Sequence, residues 1–449
     1  RLGYYGRVQY AFKQKYLAEF IWRYDGSYIF PASKRFGFFP GVLVGWNVSD
    51  ENFFKVRGID YLKLRASYGQ MGNDQVFFNG ALQEFAFLST YSFGQYPINS
   101  AVVNTLRETV LANPNFTWER ANNFNVGLDA AFLNNKFDLI LEYFHNRRDQ
   151  ILIQRTGSTP ASSGISTLLP PSNAGIVTNQ GFEFSLNYNA MATRDWKVRA
   201  GINGGYARNK VNFMDEVPGA PAWQRMEGRP IGAFLVFESE GAFRDQAAIT
   251  ENRIDYSGVT NQLLPGDMRI RDYDGDGKIT ADDAVRLNKN IVPTFNFGAN
   301  FDISYRNFSL NILFQGATGA AFRFQTESGD IGNYTKWSYD NRWSIDNPSD
   351  QFPRLASRGD TYYTGGNFGN NTFFLLSKDY IRLKNIELSY RLPTALVNRI
   401  KLGSARVFVN GFNVFTIAAQ DIFDPETVNG AGTVYPQNRV INTGLSVSF

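Results

Sequence analysis

Segments in which apolar and polar side chains alternate recur along this 449-residue chain, and the connections between them alternate in length. Strands are expected near 5–12, 16–25, 38–48, 61–69, 123–132, 137–148, 180–190, 196–208, 294–305, 308–316, 380–390, 404–415 and 438–449, thirteen in all. Short connections fall at Lys13-Gln14-Lys15, Ser49 to Asp60, Asn134 to Lys136, Met191 to Asp195, Arg306-Asn307 and Arg391 to Gly403. Long ones occupy 26–37, 70–122, 149–179, 209–293, 317–379 and 416–437. Segments of roughly ten residues are what a tilted strand needs to cross a bilayer. Tight turns at one end and long loops at the other are the connectivity of an outer-membrane barrel with periplasmic turns and extracellular loops. The chain is therefore expected to be all-β, an antiparallel transmembrane β-barrel.

The side chains support that reading. Tyr16, Ala18, Phe20, Trp22 and Tyr24 share one face of their segment, and Glu19, Arg23 and Asp25 share the other with Leu17 and Ile21. Leu62, Leu64, Ala66 and Tyr68 oppose Lys63, Arg65 and Ser67, and Phe182, Phe184, Leu186 and Tyr188 oppose Glu183, Ser185, Asn187 and Asn189. A soluble sandwich turns its apolar face inward and a large barrel turns it outward. Alternation alone does not separate the two, whereas the parity of the connections does. Counting back from a last strand that runs toward the periplasm, every short turn lands on the periplasmic side. The first segment must also run downward, so the number of strands is odd, although single-chain bacterial barrels have an even number. Arg1 follows no initiator Met or signal peptide, and the chain is expected to be the carboxy-terminal part of a longer protein.

Composition removes several alternatives. No stretch approaches the 18 or so apolar residues of a transmembrane helix. With no Cys, there is no disulfide framework, thiolate metal site or thiol nucleophile. His145 is the single histidine and sits mid-strand, so a Ser-His-Asp hydrolase has one candidate base, badly placed; it reads as a lipid-interface or pore-wall residue. A formal net charge of +4 is small for this length and points to no nucleic-acid partner. No catalytic residue is expected.

The last residues, Asn442-Thr443-Gly444-Leu445-Ser446-Val447-Ser448-Phe449, resemble the closing strand that the assembly machinery of outer-membrane barrels recognises, with Asn442, Gly444, Val447 and Phe449 filling its pattern. Further segments resemble the SusC/RagA class of TonB-dependent transporters from Bacteroidetes: Tyr24-Asp25-Gly26-Ser27, Arg35 to Pro40 with Gly45-Trp46, and Leu62 to Gly69 with Gly72-Asn73. The likeness continues in Asn179 to Glu183, Pro265-Gly266-Asp267 leading into Asp272 to Asp283, Tyr380 to Asn385, and Asn413-Val414-Phe415. The resemblance implies a 22-stranded barrel, of which these would be the last thirteen strands, filled by an amino-terminal plug. It further implies import of an oligosaccharide or peptide too large for porins, a SusD-like surface lipoprotein as lid, and TonB acting on the plug. The plug and the TonB-contacting segment are missing from these residues.

One constellation reads as a metal site. Asp272 to Asp283 carries carboxylates at positions 1, 3 and 5 (Asp272, Asp274, Asp276), Gly277 at 6, the Lys278 carbonyl at 7, Ile279 at 8 and Asp283 at 12. That is the oxygen pattern of a calcium loop, with Asp283 in place of the usual Glu. The alternative is an Asp/Gly-rich turn without an ion. The loop falls in the 209–293 excursion, far from any chemistry, so a bound Ca²⁺ would be structural. The segment Ile231 to Phe237 in the same excursion is strand-like, but a membrane span there would break the turn parity. Trp223, Trp337, Trp343, Tyr334, Tyr339, Tyr362 and Tyr363 lie in long loops, where rings stack on sugars or partner proteins, or simply on neighbouring loops. Two rival functions remain at this point: a siderophore- or cobalamin-type receptor without a lid, and a soluble calcium-dependent adhesion or carbohydrate-binding protein.

Overall fold

A computed structural model describes the chain apart from residues 76, 79, 99–100, 167, 191–192, 194, 326–331, 357–359, 361–368, 400, 428–429, 431–432, 434 and 436, and the side chains of 78 and 190. Thirteen long strands form one antiparallel sheet in which sequence neighbours are sheet neighbours throughout. They are β1 (Leu2–Phe12), β2 (Tyr16–Gly26), β3 (Phe36–Asn47), β4 (Ile59–Asn73), β5 (Glu119–Phe132), β6 (Phe137–Ile153) and β7 (Ser172–Ala190). There follow β8 (Trp196–Phe213), β9 (Phe295–Tyr305), β10 (Phe308–Thr318), β11 (Tyr380–Arg391), β12 (Ser404–Ala418) and β13 (Val440–Ser448). The expected order and the alternation of short and long connections are both present. Leu235–Val236 pairs with Val285–Arg286 outside this sheet, as the turn parity requires.

Strand limits differ from the expected ones mainly at the ends that lead into long connections. β6 continues to Ile153, β7 begins at Ser172 and β8 continues to Phe213. Backbone pairing persists there after the apolar-polar alternation has faded. At the short-turn end, left-handed residues close the hairpins: Lys13 and Gln14 (φ 50° and 57°) between β1 and β2, and Leu133, Asn134 and Asn135 between β5 and β6.

Two compact units contain these strands. In the first (Arg1–Leu186, Tyr206–Ala220, Arg225–Arg229), one cross-strand row reads Tyr16, Trp46, Leu64, Leu128 and Leu141. The adjacent row on the other face reads Arg65, Gly127 and Glu142. Gly127 leaves the space that the Arg65 guanidinium fills on its way to Glu142 (2.8 Å) and Asp129 (3.3 Å). In the second unit (Asn187–Gly205, Pro221–Gln224, Pro230–Phe449), Phe308, Tyr390, Val407 and Leu445 form an apolar row, and Asn311, Glu387, Asn410 and Asn442 a polar one.

The apolar face is open to the surroundings. Val8 (64% exposed), Val44 (51%), Leu388 (52%) and Leu445 (65%) stand on it. The ion pairs Arg65–Glu142 and Arg406–Glu387 stand on the other face. A water-soluble sandwich would be arranged the opposite way round; apolar-out with polar-in is the arrangement of a membrane barrel wall. No helix among the described residues is long and apolar enough to cross a membrane.

The carboxy-terminal motif divides between the faces. Asn442 donates to Asn410 at 3.1 Å on the polar face, and Gly444 leaves room for the Phe408 ring, which a Cβ there would meet at 2.3 Å. Val447 stands opposite Ala405 on the apolar face. Phe449 was expected inside the strand but lies beyond it, 98% exposed, because Ser448 already pairs with Ser404, the first residue of β12.

Candidate functional site

The described residues of 230–294, 319–379 and 419–439 hold a hydrophobic core of their own, separate from the sheet. Phe237, Phe243, Tyr256, Met268, Ile270, Ile279, Phe324 and Phe374 are buried together, with Trp337, Ile422 and Phe423 packed against them. Short ribbons organise it: Ser239–Ala242 against Met268–Ile270, and Ala321–Arg323 against Leu375–Ser377. Backbone bonds sew the segments together, among them Phe237 N to Asn370 O (2.9 Å) and Ala242 N to Asp350 O (2.7 Å).

The Pro265-Gly266-Asp267 turn is a junction in this layer. Asp267 is fully buried and takes Arg354 Nε at 2.6 Å and the Leu264 N–H at 2.8 Å. Arg354 also reaches Asp360 at 3.1 Å. Gly266 has φ 88°, and a Cβ there would sit 2.7 Å from Arg354 Cβ and 2.9 Å from the Trp343 ring. Neither Asp267 nor Arg354 was singled out by the sequence reading. Pro265-Gly266-Asp267 was visible there only as part of a family likeness.

Asp272, Asp274 and Asp276 bring carboxylate oxygens within 4.8 Å of one another. Asp272 accepts the N–H groups of Gly275 (2.7 Å) and Gly277 (2.8 Å), Asp274 that of Asp276 (3.1 Å), and Asp276 that of Lys278 (2.7 Å). The Asp276 N–H pulls the Asp274 carboxyl downward, but desolvation and the charges of Asp276, Asp283 and Asp272 outweigh it and hold it above the ordinary carboxylate range. Asp283 does not join this trio. It is fully buried, with one oxygen accepting Tyr273 N (2.7 Å) and the other Thr280 N (2.8 Å). The Lys278 ammonium lies 3.7 Å from Asp255. Behind the loop, Asp255 N bonds Gly277 O and Ile279 N bonds Asp255 O, which plants the Ile279 side chain in the core.

The loop tryptophans are half-buried, and the donors of Trp223 and Trp343 are engaged. Trp223 Nε1 bonds Asp282 O (2.8 Å), and its ring tilts against Tyr273. Trp343 Nε1 bonds Arg244 O (2.7 Å), and Trp337 stands edge-on to Phe324 and Phe352. Tyr334 donates to Ala356 O, and Tyr339 is exposed beneath the Arg342 guanidinium. Tyr362 and Tyr363 lie outside the described residues.

A second anchor, also missed by the sequence reading, sits on the polar face. Arg382 of β11 is 1% exposed and bonds Asp424 and Glu426, each at 2.6 Å, and Gln437. A cavity of about 950 Å³ adjoins it, lined by Thr416, Ile417, Phe423, Asp424, Glu426 and Tyr435.

Comparison with known proteins fixes the family. Residues 1–414 match the model described as TonB dependent receptor-like, beta-barrel. The chain belongs to the TonB-dependent receptor family. This receptor is 29% identical to TonB-dependent receptor P26 of Formosa agariphila over all of its own length and 46% of that protein's. It is 24% identical to TonB-dependent receptor SusC of Bacteroides thetaiotaomicron, again over the whole chain and 44% of the relative. The chain therefore spans a little under half the length of these relatives. Among solved structures, the RagAB peptide importer in its open-open state superposes with a TM-score of 0.72 at 21% identity, covering 100% of this receptor and 46% of that chain. The receptor resides in the outer membrane, and the apolar face of its sheet has its physical cause there.

Proposed function

We propose that the protein to which this barrel belongs imports a large nutrient, an oligosaccharide or a peptide, across the outer membrane under TonB drive, beneath a SusD-like surface lipoprotein. The observation that carries the reading is the layer formed by described residues of 230–294, 319–379 and 419–439: a cored, hydrogen-bonded platform at the long-connection end, which a small-solute pore does not need. Full-length relatives in the SusC/RagA class support a two-component importer over a lidless siderophore-type receptor. No bond-making chemistry is assigned, since the family transports.

The Asp272–Asp276 trio is read as a Ca²⁺ site of structural purpose. Three converging carboxylates suit a hard divalent cation, and Asp283 supports the loop rather than ligating. A bound ion would brace the turn behind Ile279 and so the layer a lid would rest on. Trp223, Trp337 and Trp343 shape that layer from within.

The test uses the full-length receptor purified from its own outer membrane. A stoichiometric surface lipoprotein and uptake of oligosaccharide or peptide that stops without TonB are expected. Uptake of ferric siderophore with no lipoprotein attached would replace this reading by the lidless one. Terbium luminescence sensitised by Tyr273 and lost in Asp272→Ala/Asp274→Ala checks the ion separately.

A further inference from the structure

On the apolar face of the first unit, side-chain character changes at one level across neighbouring strands. Tyr68 of β4 stands opposite Phe124 of β5, which stands opposite His145 of β6. One rung toward the long connections the row is Gln70, Asn122 and Arg147, and beyond it Asp149 stands opposite Arg120. Asn122 joins these rungs: Tyr68 and Gln70 donate to its oxygen at 3.1 and 2.8 Å, and its amide donates to Asp149 at 3.1 Å.

The level continues on β7 and β8. A Cβ on Gly181 would meet Phe144 Cζ at 2.8 Å, which puts Gly181 on the polar face and Phe182 on the apolar one. Phe182 stacks on Tyr206 of β8 (5.7 Å), and Thr178 donates to Asn212 (2.8 Å). Strand alternation between Tyr206 and Asn212 brings Arg208 and Lys210 onto that same face.

Below the level, the face is apolar: Val126, Leu128, Ala130 and Phe132 on β5, Leu141, Leu139 and Phe137 on β6. Asn122, opposite Arg147, lies ten residues from Phe132 at the short turn. At about 3.3 Å rise and 35–45° tilt, ten residues climb roughly 25 Å, the height of the lipid-facing band of such barrels. Arg147 thus emerges where hydrocarbon gives way to headgroups.

Cations exceed anions on this ledge. Arg120, Arg147, Arg208 and Lys210 are exposed, and Asp149, 3.8 Å from Arg147 Nε, is the one carboxylate among them. Arg120, Arg208 and Lys210 form no ion pair among the described residues. Guanidinium groups pair bidentately with phosphate, and unneutralised charge beside lipid is costly.

We propose that this ledge is a binding site for the phosphorylated headgroup of an outer-leaflet glycolipid, whose acyl chains lie along Tyr68, Phe124, Phe182, Tyr206 and the aliphatic rows below. The site fixes the receptor's height and rotation in the membrane, and it depends on the membrane placement, not on what is imported.

The full-length receptor is reconstituted in phosphatidylcholine nanodiscs containing a minor fraction of lipid A, either diphosphorylated or enzymatically dephosphorylated, and retained lipid A is counted by native mass spectrometry. Retention of the phosphorylated form should exceed that of the dephosphorylated form by about tenfold or more. The preference should vanish in Arg147→Gln/Arg208→Gln/Lys210→Gln and persist in Lys63→Gln/Arg406→Gln, which removes cations from the polar face. Millimolar inorganic phosphate should not displace the lipid. Equal retention of the two lipid A forms, an unchanged preference in the triple variant, or displacement by free phosphate would each overturn the proposal. Heat-modifiable electrophoretic mobility confirms that the variants fold, and the wild-type preference decides the matter without any variant.

Discussion

Tyr256 shows how much one side chain can hold in the layer of long connections. It is 4% exposed, and its hydroxyl donates to Ile270 O (3.2 Å) while accepting Ile270 N–H (2.9 Å). Burial pushes its pKa from 10.0 up to about 12, because an anion there would lose water, a cost that the Ile270 hydrogen bond and the Arg269 charge offset only in part. For an acid whose folded pKa is raised, the folded state keeps its proton while the unfolded chain gives it up. Stability is therefore intact below pH 10 and falls as pH rises from 10 toward about 12, by on the order of 2 kcal/mol. Tyr256→Phe should remove that alkaline slope at a cost near neutrality of about 1 kcal/mol per lost hydrogen bond. Amide exchange of 268–270 at pH 8 and pH 10.5 measures both terms. Gly266→Ala acts differently: φ 88° and the contacts with Arg354 and Trp343 leave no room for a methyl. A loss of about 2 kcal/mol in layer stability is expected, read as faster proteolysis of 240–270 with the sheet intact; unchanged cleavage would show that the turn relaxes.

Strands were legible because each must satisfy two solvents at once. Lys63 and Arg65 between Leu62, Leu64 and Ala66 leave one register in which apolar side chains meet lipid, so even the order of all thirteen could be read. Strand ends were not, because beyond the lipid band nothing forces alternation: Ser172 to Asn179 belongs to β7 without a period to announce it. The sites were less legible still. The Asp272 loop is local and could be found, but Arg354 meets Asp267 and Arg382 meets Glu426 across long spans of sequence, and no local pattern reports such a meeting. At the last strand, Gly444 and Phe449 separate two requirements. Gly444→Val would drive a branched side chain into the Phe408 ring and disturb the β12–β13 ladder itself. Removing Phe449 touches no ladder pair. In the full-length protein, loss of Phe449 should lower the yield of assembled barrel while the assembled fraction keeps wild-type thermal mobility. Gly444→Val should lower the mobility transition as well, and identical behaviour of the two would show that Phe449 is needed for the ladder too.

At the scale of the second unit, Arg382 connects the wall to the layer above it. Its guanidinium is on the polar face, in the row Gln315, Arg382, Thr416, yet it is almost unexposed because Asp424, Glu426 and Gln437 close over it. Asp424 and Glu426 take its two terminal nitrogens, Lys384 adds a contact to Glu426 at 3.5 Å, and Gln437 bonds both Arg382 and Glu426. A few residues earlier, Phe423 lies 6.3 Å from Phe322 and 5.9 Å from Phe324. The same connection is thus held twice, by charge against the wall and by aromatic packing in the layer, with the 950 Å³ cavity alongside. Hydrophobic packing alone would let it slide, since Phe contacts have little directional preference compared with a two-carboxylate clamp. Arg382→Met keeps the length and apolar bulk of the side chain, takes the cation from Asp424 and leaves Glu426 only the longer contact with Lys384. Breaking such a buried pair costs on the order of 3 kcal/mol, so amide exchange across 420–427 should accelerate about a hundredfold. Exchange within β11 and β12 below the clamp should not change, because Glu387 and Arg406 keep their own pair at 2.7 Å. Acceleration spread evenly through β11, β12 and the connection would mean that Arg382 supports the sheet rather than fastening the platform to it.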